Sequence, residues 1–141
     1  MVKTVIVDDT PETQEVLASL VRAAGGVVTF TSAYGQDVMT FIAEQGADLV
    51  ITDYQMPQMR GDDVARNVHE QFPQVMVAMI TVQDDWGTRQ RASAATVDQF
   101  LSKPVTVTQM EELIRLAKNR QGLRRMALGP DYWRDHEVGE G

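Results

Sequence analysis

The residues that could do chemistry in this 141-residue chain each stand just past a run of apolar side chains. Asp53 ends the run Ala47-Asp48-Leu49-Val50-Ile51-Thr52 and leads at once into the turn Tyr54-Gln55-Met56-Pro57-Gln58-Met59-Arg60-Gly61. Asp8 and Asp9 follow Val5-Ile6-Val7, Thr81 follows Val75 to Ile80, and Lys103-Pro104 follows Phe100-Leu101-Ser102. Open α/β sheets keep their chemistry at the carboxyl ends of such strands. If these runs are neighbouring parallel strands, three acids, a hydroxyl and an ammonium converge on one sheet edge. Gathered carboxylates need a cation, and a lysine beside them needs an anion. The combination points to a magnesium-assisted phosphoryl site.

The elements that must position these groups alternate strand-like and helix-like stretches with short turns between them, the pattern of a parallel sheet. Strands are expected at Lys3–Val7, Val27–Thr31, Asp48–Thr52, Val75–Ile80 and, as a short edge strand, Asp98–Ser102. The first helix starts near Pro11, since proline suits the first helical turn. It carries Val16, Leu17, Leu20, Val21 and Ala24 on one apolar face. Gly35 to Glu44 is the second helix, with Val38, Phe41 and Ile42 inward and Gly46 as its stop. A third opens at Gly61-Asp62-Asp63, with acids favourable to the helix dipole, and ends near Phe72. The fourth runs from Asp84-Asp85 to about Ala95, and the last carries Met110, Leu113, Ile114 and Ala117 at helical spacing. Five strands in strict alternation with five helices predict a flavodoxin-like doubly wound parallel sheet of order 2-1-3-4-5. After Asn119 the chain turns basic, with Arg120, Arg124 and Arg125. Gly122 weakens helix there, Gly129-Pro130 breaks it, and 130–141 reads as a polar tail. The division expected is one domain over 1–118 and a helical extension with tail over 119–141.

Composition removes several function classes. With 43% hydrophobic and 23% charged residues the chain has the makeup of a globular domain. The net charge of −7 argues against nonspecific nucleic-acid binding or an anionic membrane surface. Cysteine is absent, which excludes disulfides and thiolate metal sites. No segment approaches the roughly 20 apolar residues of a membrane helix. The expectation is a cytoplasmic domain with no direct nucleic-acid or membrane partner.

With Asp8-Asp9, Asp53-x-x-Met56-Pro57-x-Met59-x-Gly61, Thr81, Phe100 and Lys103-Pro104 in this order, the chain resembles the receiver domains of two-component response regulators. The resemblance covers about Lys3 to Lys118. It implies that Asp53 is the phosphoacceptor, taking a phosphoryl group from a histidine kinase, a histidine phosphotransfer protein or a small phosphodonor. It implies Mg²⁺ as cofactor, with Mn²⁺ as a substitute. Asp9, Asp53 and the backbone carbonyl of Gln55 would hold the ion, with Asp8 acting mainly through water. All-oxygen ligands suit that hard cation. Lys103 would pair with a phosphoryl oxygen, and its bond to Pro104 is expected to be cis, against a base rate of about 5–6%. Thr81 and Phe100 would be the switch. A phosphoryl group adds roughly −1.5 to −2 charge and three strong acceptors. Thr81 would move toward it, Phe100 would turn inward, and the face of the fourth helix, fifth strand and fifth helix would change. That face is also where a homodimer would form.

Some positions depart from the family pattern. Val82 replaces a small residue after Thr81 and is expected to narrow access to Asp53, slowing phosphotransfer and lengthening the acyl phosphate's life. Gln55 and Gln83 occupy the two positions that tune hydrolysis, with the sign of their joint effect open. Thr96-Val97 stand where a Gly-Ala is usual, leaving the fourth helix without its glycine stop. His69 and His136 have no ligand-spaced neighbours and read as solvated bystanders. Trp86 reads as a packing or partner residue.

Rival functions fare worse. An aspartate-nucleophile phosphatase of the haloacid dehalogenase-like class needs an acid two residues after its nucleophile. Those positions hold Thr10 and Gln55. A flavin mononucleotide binder needs a Ser, Thr and Gly-rich first loop, which Asp8-Asp9 would oppose. A degenerate receiver would lack part of the acid and lysine set. Too few residues follow Lys118 for a DNA-binding domain, so the output is expected in a downstream protein or a fused domain. A cyclic-di-GMP phosphodiesterase is one candidate for the latter. The imperfect heptad Leu113, Leu116, Arg120, Leu123, Ala127 reads equally as the start of a signalling helix and as an ordinary lone surface helix.

Overall fold

The computed structural model describes residues 1–128, with side chains through Gly122. The expectations for the Gly129-Pro130 break, for 130–141 and for His136 lie outside the described residues, and the side chains of Leu123, Arg124, Arg125 and Ala127 lie outside the described side chains. Five strands, β1 (Lys3–Val7), β2 (Val27–Ser32), β3 (Leu49–Thr52), β4 (Met76–Thr81) and β5 (Gln99–Ser102), form one parallel sheet of order β2-β1-β3-β4-β5. Between and after them come α1 (Pro11–Ala23), α2 (Gly35–Gln45), α3 (Gly61–Gln71), α4 (Trp86–Ala94) and α5 (Val107–Leu128). This is the doubly wound order that the alternation predicts, with β5 at an edge. The last helix runs unbroken through Gly122.

Strand alternation divides the core into two layers. Ile6, Leu49, Ile51, Ala78 and Ile80 face the side covered by Leu17 and Val21 of α1 and Met110, Leu113 and Ile114 of α5. Val5, Val7, Val50 and Val77 face the other side, against Val38 and Ile42 of α2 and Val64 and Val68 of α3. Both faces of β3 and β4 are buried, which is why those strands read as unbroken apolar runs. Phe41 is half-buried and stacks on Phe30 of β2, with ring centroids 4.5 Å apart. Val16 departs from the expected α1 face and stands exposed. It lies one residue before Leu17, at the rim of the apolar stripe.

Two backbone details fix the ends of the elements. Thr96 adopts φ +57°, so a β-branched residue supplies the left-handed turn that glycine usually makes after a helix. At Gly61 a Cβ would lie 2.1 Å from the Asp53 carbonyl oxygen. Only glycine lets the start of α3 approach the end of β3 this closely, and the Gly61 N–H donates to the Tyr54 carbonyl at 2.8 Å.

Candidate functional site

Strand register brings the sequence-predicted residues together. Val7 pairs with Thr52, Thr52 with Met79, and Thr81 with Ser102. Asp8 and Asp53 therefore leave adjacent strands side by side, and Lys103 reaches them from the end of β5. The Lys103 Nζ donates to Asp8 Oδ2 at 2.6 Å and to Asp53 Oδ2 at 3.0 Å. The remaining oxygens meet backbone: Thr10 N–H donates to Asp8 Oδ1 at 2.9 Å and Tyr54 N–H to Asp53 Oδ1 at 2.7 Å. The Lys103–Pro104 peptide bond is cis.

Asp8 is fully buried, Asp53 and Lys103 retain 12% and 15% side-chain exposure, and Asp9 is open to solvent. One carboxylate oxygen from each of Asp8, Asp9 and Asp53 lies within 4.8 Å of the others. Burial pushes the Asp8 carboxyl above the usual carboxylate range. Lys103 and the Thr10 N–H oppose that push, and the neighbouring charge of Asp53 adds to it. Burial pulls the Lys103 ammonium down, but its bonds to the two carboxylates outweigh it and raise its pKa. The acids thus exceed what their one ammonium neutralises. An all-oxygen acidic cluster with surplus negative charge matches the donor set of a hard divalent cation.

The other predicted residues lie on β4, β5 and the loops that follow the strands at this edge. Thr81 is buried at the end of β4, and its hydroxyl accepts the Gln83 N–H at 3.2 Å. Gln55 is exposed two residues beyond Asp53, and Gln83 is half-buried. Val82, 75% exposed, lines an apolar groove of about 370 Å³ with Lys103, Pro104 and Val105 on one side and Val16, Leu17 and Leu20 of α1 on the other. Phe100 is half-buried, packed with Tyr54, Met79 and Ala92. Trp86 begins α4 and is 77% exposed, so it packs against little of this domain.

Sequence reading missed several partners. The Gln14 side-chain amide donates to the Asp8 carbonyl at 2.6 Å. Arg89 of α4 sits over the Phe100 ring, 4.5 Å from its centroid. His69 is not a bystander: its ring bridges Thr96 Oγ1 at 3.0 Å and Asp98 Oδ2 at 3.1 Å. No sequence motif signals these contacts: His69 meets residues 27 and 29 positions away, and even the nearer pairs Gln14 with Asp8 and Arg89 with Phe100 form only once neighbouring elements pack.

Comparison with known proteins agrees with this arrangement. Residues 4–115 match the family described as response regulator receiver domain. The response regulator protein PilR of Pseudomonas aeruginosa is 30% identical over 115 residues, 82% of this chain and 26% of PilR. The chemotaxis protein CheY-3 of Vibrio cholerae is 29% identical over 112 residues, 78% of this chain and 86% of that protein. The crystal structure of a response regulator receiver domain from Clostridium thermocellum superposes with a TM-score of 0.80 at 26% identity, over 89% of this chain and all of that one. This chain spans 26%, 54% and 59% of PilR, the mycobacterial regulator TcrX and the regulator DctR.

Proposed function

The chain belongs to the response regulator receiver family, and from that premise we propose that it accepts a phosphoryl group on Asp53 and passes the change to its α4-β5-α5 face. Receiver domains are signalling modules, so the chemistry is self-modification rather than turnover of a substrate. The observation that carries the reading is the bridge from Lys103 Nζ to Asp8 and Asp53 beside the solvent-open Asp9.

An Asp53 carboxylate oxygen attacks phosphorus, the bond to the donor's imidazole nitrogen or acetate oxygen breaks, and an acyl phosphate remains. Lys103 exchanges its bond to Asp53 for one to a phosphoryl oxygen, holding the group by charge and position. Asp8, Asp9, Asp53 and the Gln55 carbonyl are the groups that would hold Mg²⁺, or Mn²⁺ in its place. The ion bound there would offset charge on the transferring group. Thr81 donates its hydroxyl to the phosphoryl group, and Phe100 turns into the space it leaves. Val82 narrows the approach, so Val82→Ala should take up and lose the phosphoryl group faster. Gln55 and Gln83 stand where an amide could hold the water for hydrolysis. The partners by this reading are a sensor histidine kinase or histidine phosphotransfer protein upstream, and a fused domain or downstream protein beyond 1–118. No helix among the described residues is long and apolar enough to cross a membrane.

The test is intact-mass measurement after incubation with Mg²⁺ and acetyl phosphate. The wild type should gain one alkali-labile phosphoryl group. Asp53→Asn, or chelation of the metal, should abolish it. A stable protein mass together with steady phosphate release would instead mark a phosphatase.

A further inference from the structure

Phe100 lacks the hydroxyl that could tie an aromatic ring to a polar partner, so its position depends on what packs on the ring. Its inner side meets Met79 and Ala92. Over its face lies the Arg89 guanidinium, 4.5 Å from the centroid. A cavity of about 180 Å³ lined by Arg89, Ala92, Ser93, Val97 and Phe100 adjoins the ring.

Arg89 is itself held. Its Nε pairs with Asp84 in the β4–α4 loop, and the other Asp84 oxygen accepts the Ser102 hydroxyl at 2.6 Å. The same two partners keep the Asp84 carboxyl below the usual carboxylate range. Ser102 lies two residues beyond Phe100 on β5, and Asp84 three residues beyond Thr81. The four side chains therefore link the β4–α4 loop, α4 and β5 around the ring.

We infer that Arg89, braced by Asp84 and Ser102, is a positioning residue that holds Phe100 in its resting place and so sets the threshold of the switch. This deepens the reading of Phe100 as the switch residue and rests on it. The link to phosphorylation runs through Thr81, whose hydroxyl accepts the Gln83 N–H. Turning that hydroxyl toward a phosphoryl group gives up this bond and frees the loop that carries Asp84. The brace on Arg89 then loosens, and the ring can leave the guanidinium. An exposed cation–ring contact corresponds to roughly a two- to fivefold bias in a two-state equilibrium.

The test uses the full chain with 4-fluorophenylalanine incorporated, the Phe100 resonance being assigned by its absence in Phe100→Leu. Beryllofluoride with Mg²⁺ serves as the phosphoryl mimic. Arg89→Gln should shift the resting Phe100 resonance toward its beryllofluoride-bound position and lower the half-saturating beryllofluoride concentration about two- to fivefold. Arg89→Lys, which keeps the cation, should lie nearer the wild type, and Asp84→Asn should fall between. The melting temperature should barely change, because the contact is at the surface. Equal resting shifts and midpoints in the wild type, Arg89→Gln and Arg89→Lys would overturn the role of Arg89, as would weaker mimic binding in Arg89→Gln. A wild-type resonance that ignores beryllofluoride, while Asp53 still binds it, would remove the Phe100 switch itself and this inference with it.

Discussion

The two edges of the sheet hold aspartates in opposite electrical condition. At the carboxyl edge, burial drives Asp8 above its ordinary pKa despite its bond to Lys103. At the amino edge, burial also pushes Asp98 up, but the bonds it accepts outweigh that and leave it below the ordinary range. Asp98 accepts the Val77 N–H at 2.7 Å, Arg120 at 2.9 Å and the His69 ring at 3.1 Å. One carboxylate there takes a backbone N–H, a guanidinium and an imidazole, while at the other edge two carboxylates take one backbone N–H each and share a single ammonium, with a third carboxylate nearby. Negative charge left over at one edge is what a divalent cation would answer. Charge fully answered at the other joins α3, the start of β5 and α5, and has no unmet need.

The largest effect should come from taking away the one ammonium. Lys103→Met removes the group that holds the phosphoryl oxygen. Uptake from acetyl phosphate, followed by intact mass, should slow about a hundredfold or more. Uptake at the wild-type rate would place the clamp elsewhere and weaken the contrast between the edges.

Next in size is the backbone that seats Asp53. Gly61→Ala puts a methyl group 2.1 Å from the Asp53 carbonyl oxygen, so the turn after β3 must shift. Destabilisation of about 1–3 kcal/mol in urea melts is expected, the usual cost of overpacking. Mg²⁺ binding, read by Trp86 fluorescence, should weaken with it.

The opposite edge should respond in stability and not in chemistry. Asp98→Asn keeps an oxygen for the Val77 N–H but loses the charge that Arg120 and His69 meet. A loss of about 1–2 kcal/mol fits hydrogen bonds to a charged group that is only partly exposed. Because the folded pKa of Asp98 is lowered, its contribution is present above the unfolded value of about 3.9 and fades as pH falls through the folded value. The gap between wild type and variant should be widest near neutrality and close below about pH 4. Phosphoryl uptake should be unchanged, and a gap independent of pH would show that charge is not what Asp98 contributes.

The fold and the carboxyl edge were legible because both are written in local pattern. Apolar runs of strand length fixed the element order, and the reactive residues follow those runs directly, so parallel pairing gathers them without further information. The amino edge was not legible. His69 lies on a polar helix face, and nothing in its neighbours distinguishes a solvated imidazole from one reaching Thr96 and Asp98. Arg120 and Arg89 are alike in this respect, since a long cationic side chain meets its partner only after packing sets the distance. Val16 shows the same limit from the apolar side: helical spacing marks a stripe but not where its rim meets water.

Thr96 is the smallest and sharpest case. The unusual Thr96-Val97 was visible in the sequence as a missing glycine stop, and the structure shows threonine taking the left-handed turn itself at φ +57°. A β-branched residue is strained there, at a cost of order 1 kcal/mol or more. Its hydroxyl contacts His69 at 3.0 Å and the Ala95 carbonyl at 2.6 Å, which offsets part of that strain. Thr96→Gly relieves the strain and gives up both contacts, so its net effect in the wild type should be within about 0.5 kcal/mol of zero. In a His69→Ala background the histidine contact is already gone, and the same substitution should then stabilise by about 0.5–1 kcal/mol. A double-mutant cycle by urea denaturation measures the difference. If Thr96→Gly has the same effect in both backgrounds, the hydroxyl and the imidazole are independent, and His69 serves the amino edge through Asp98 alone.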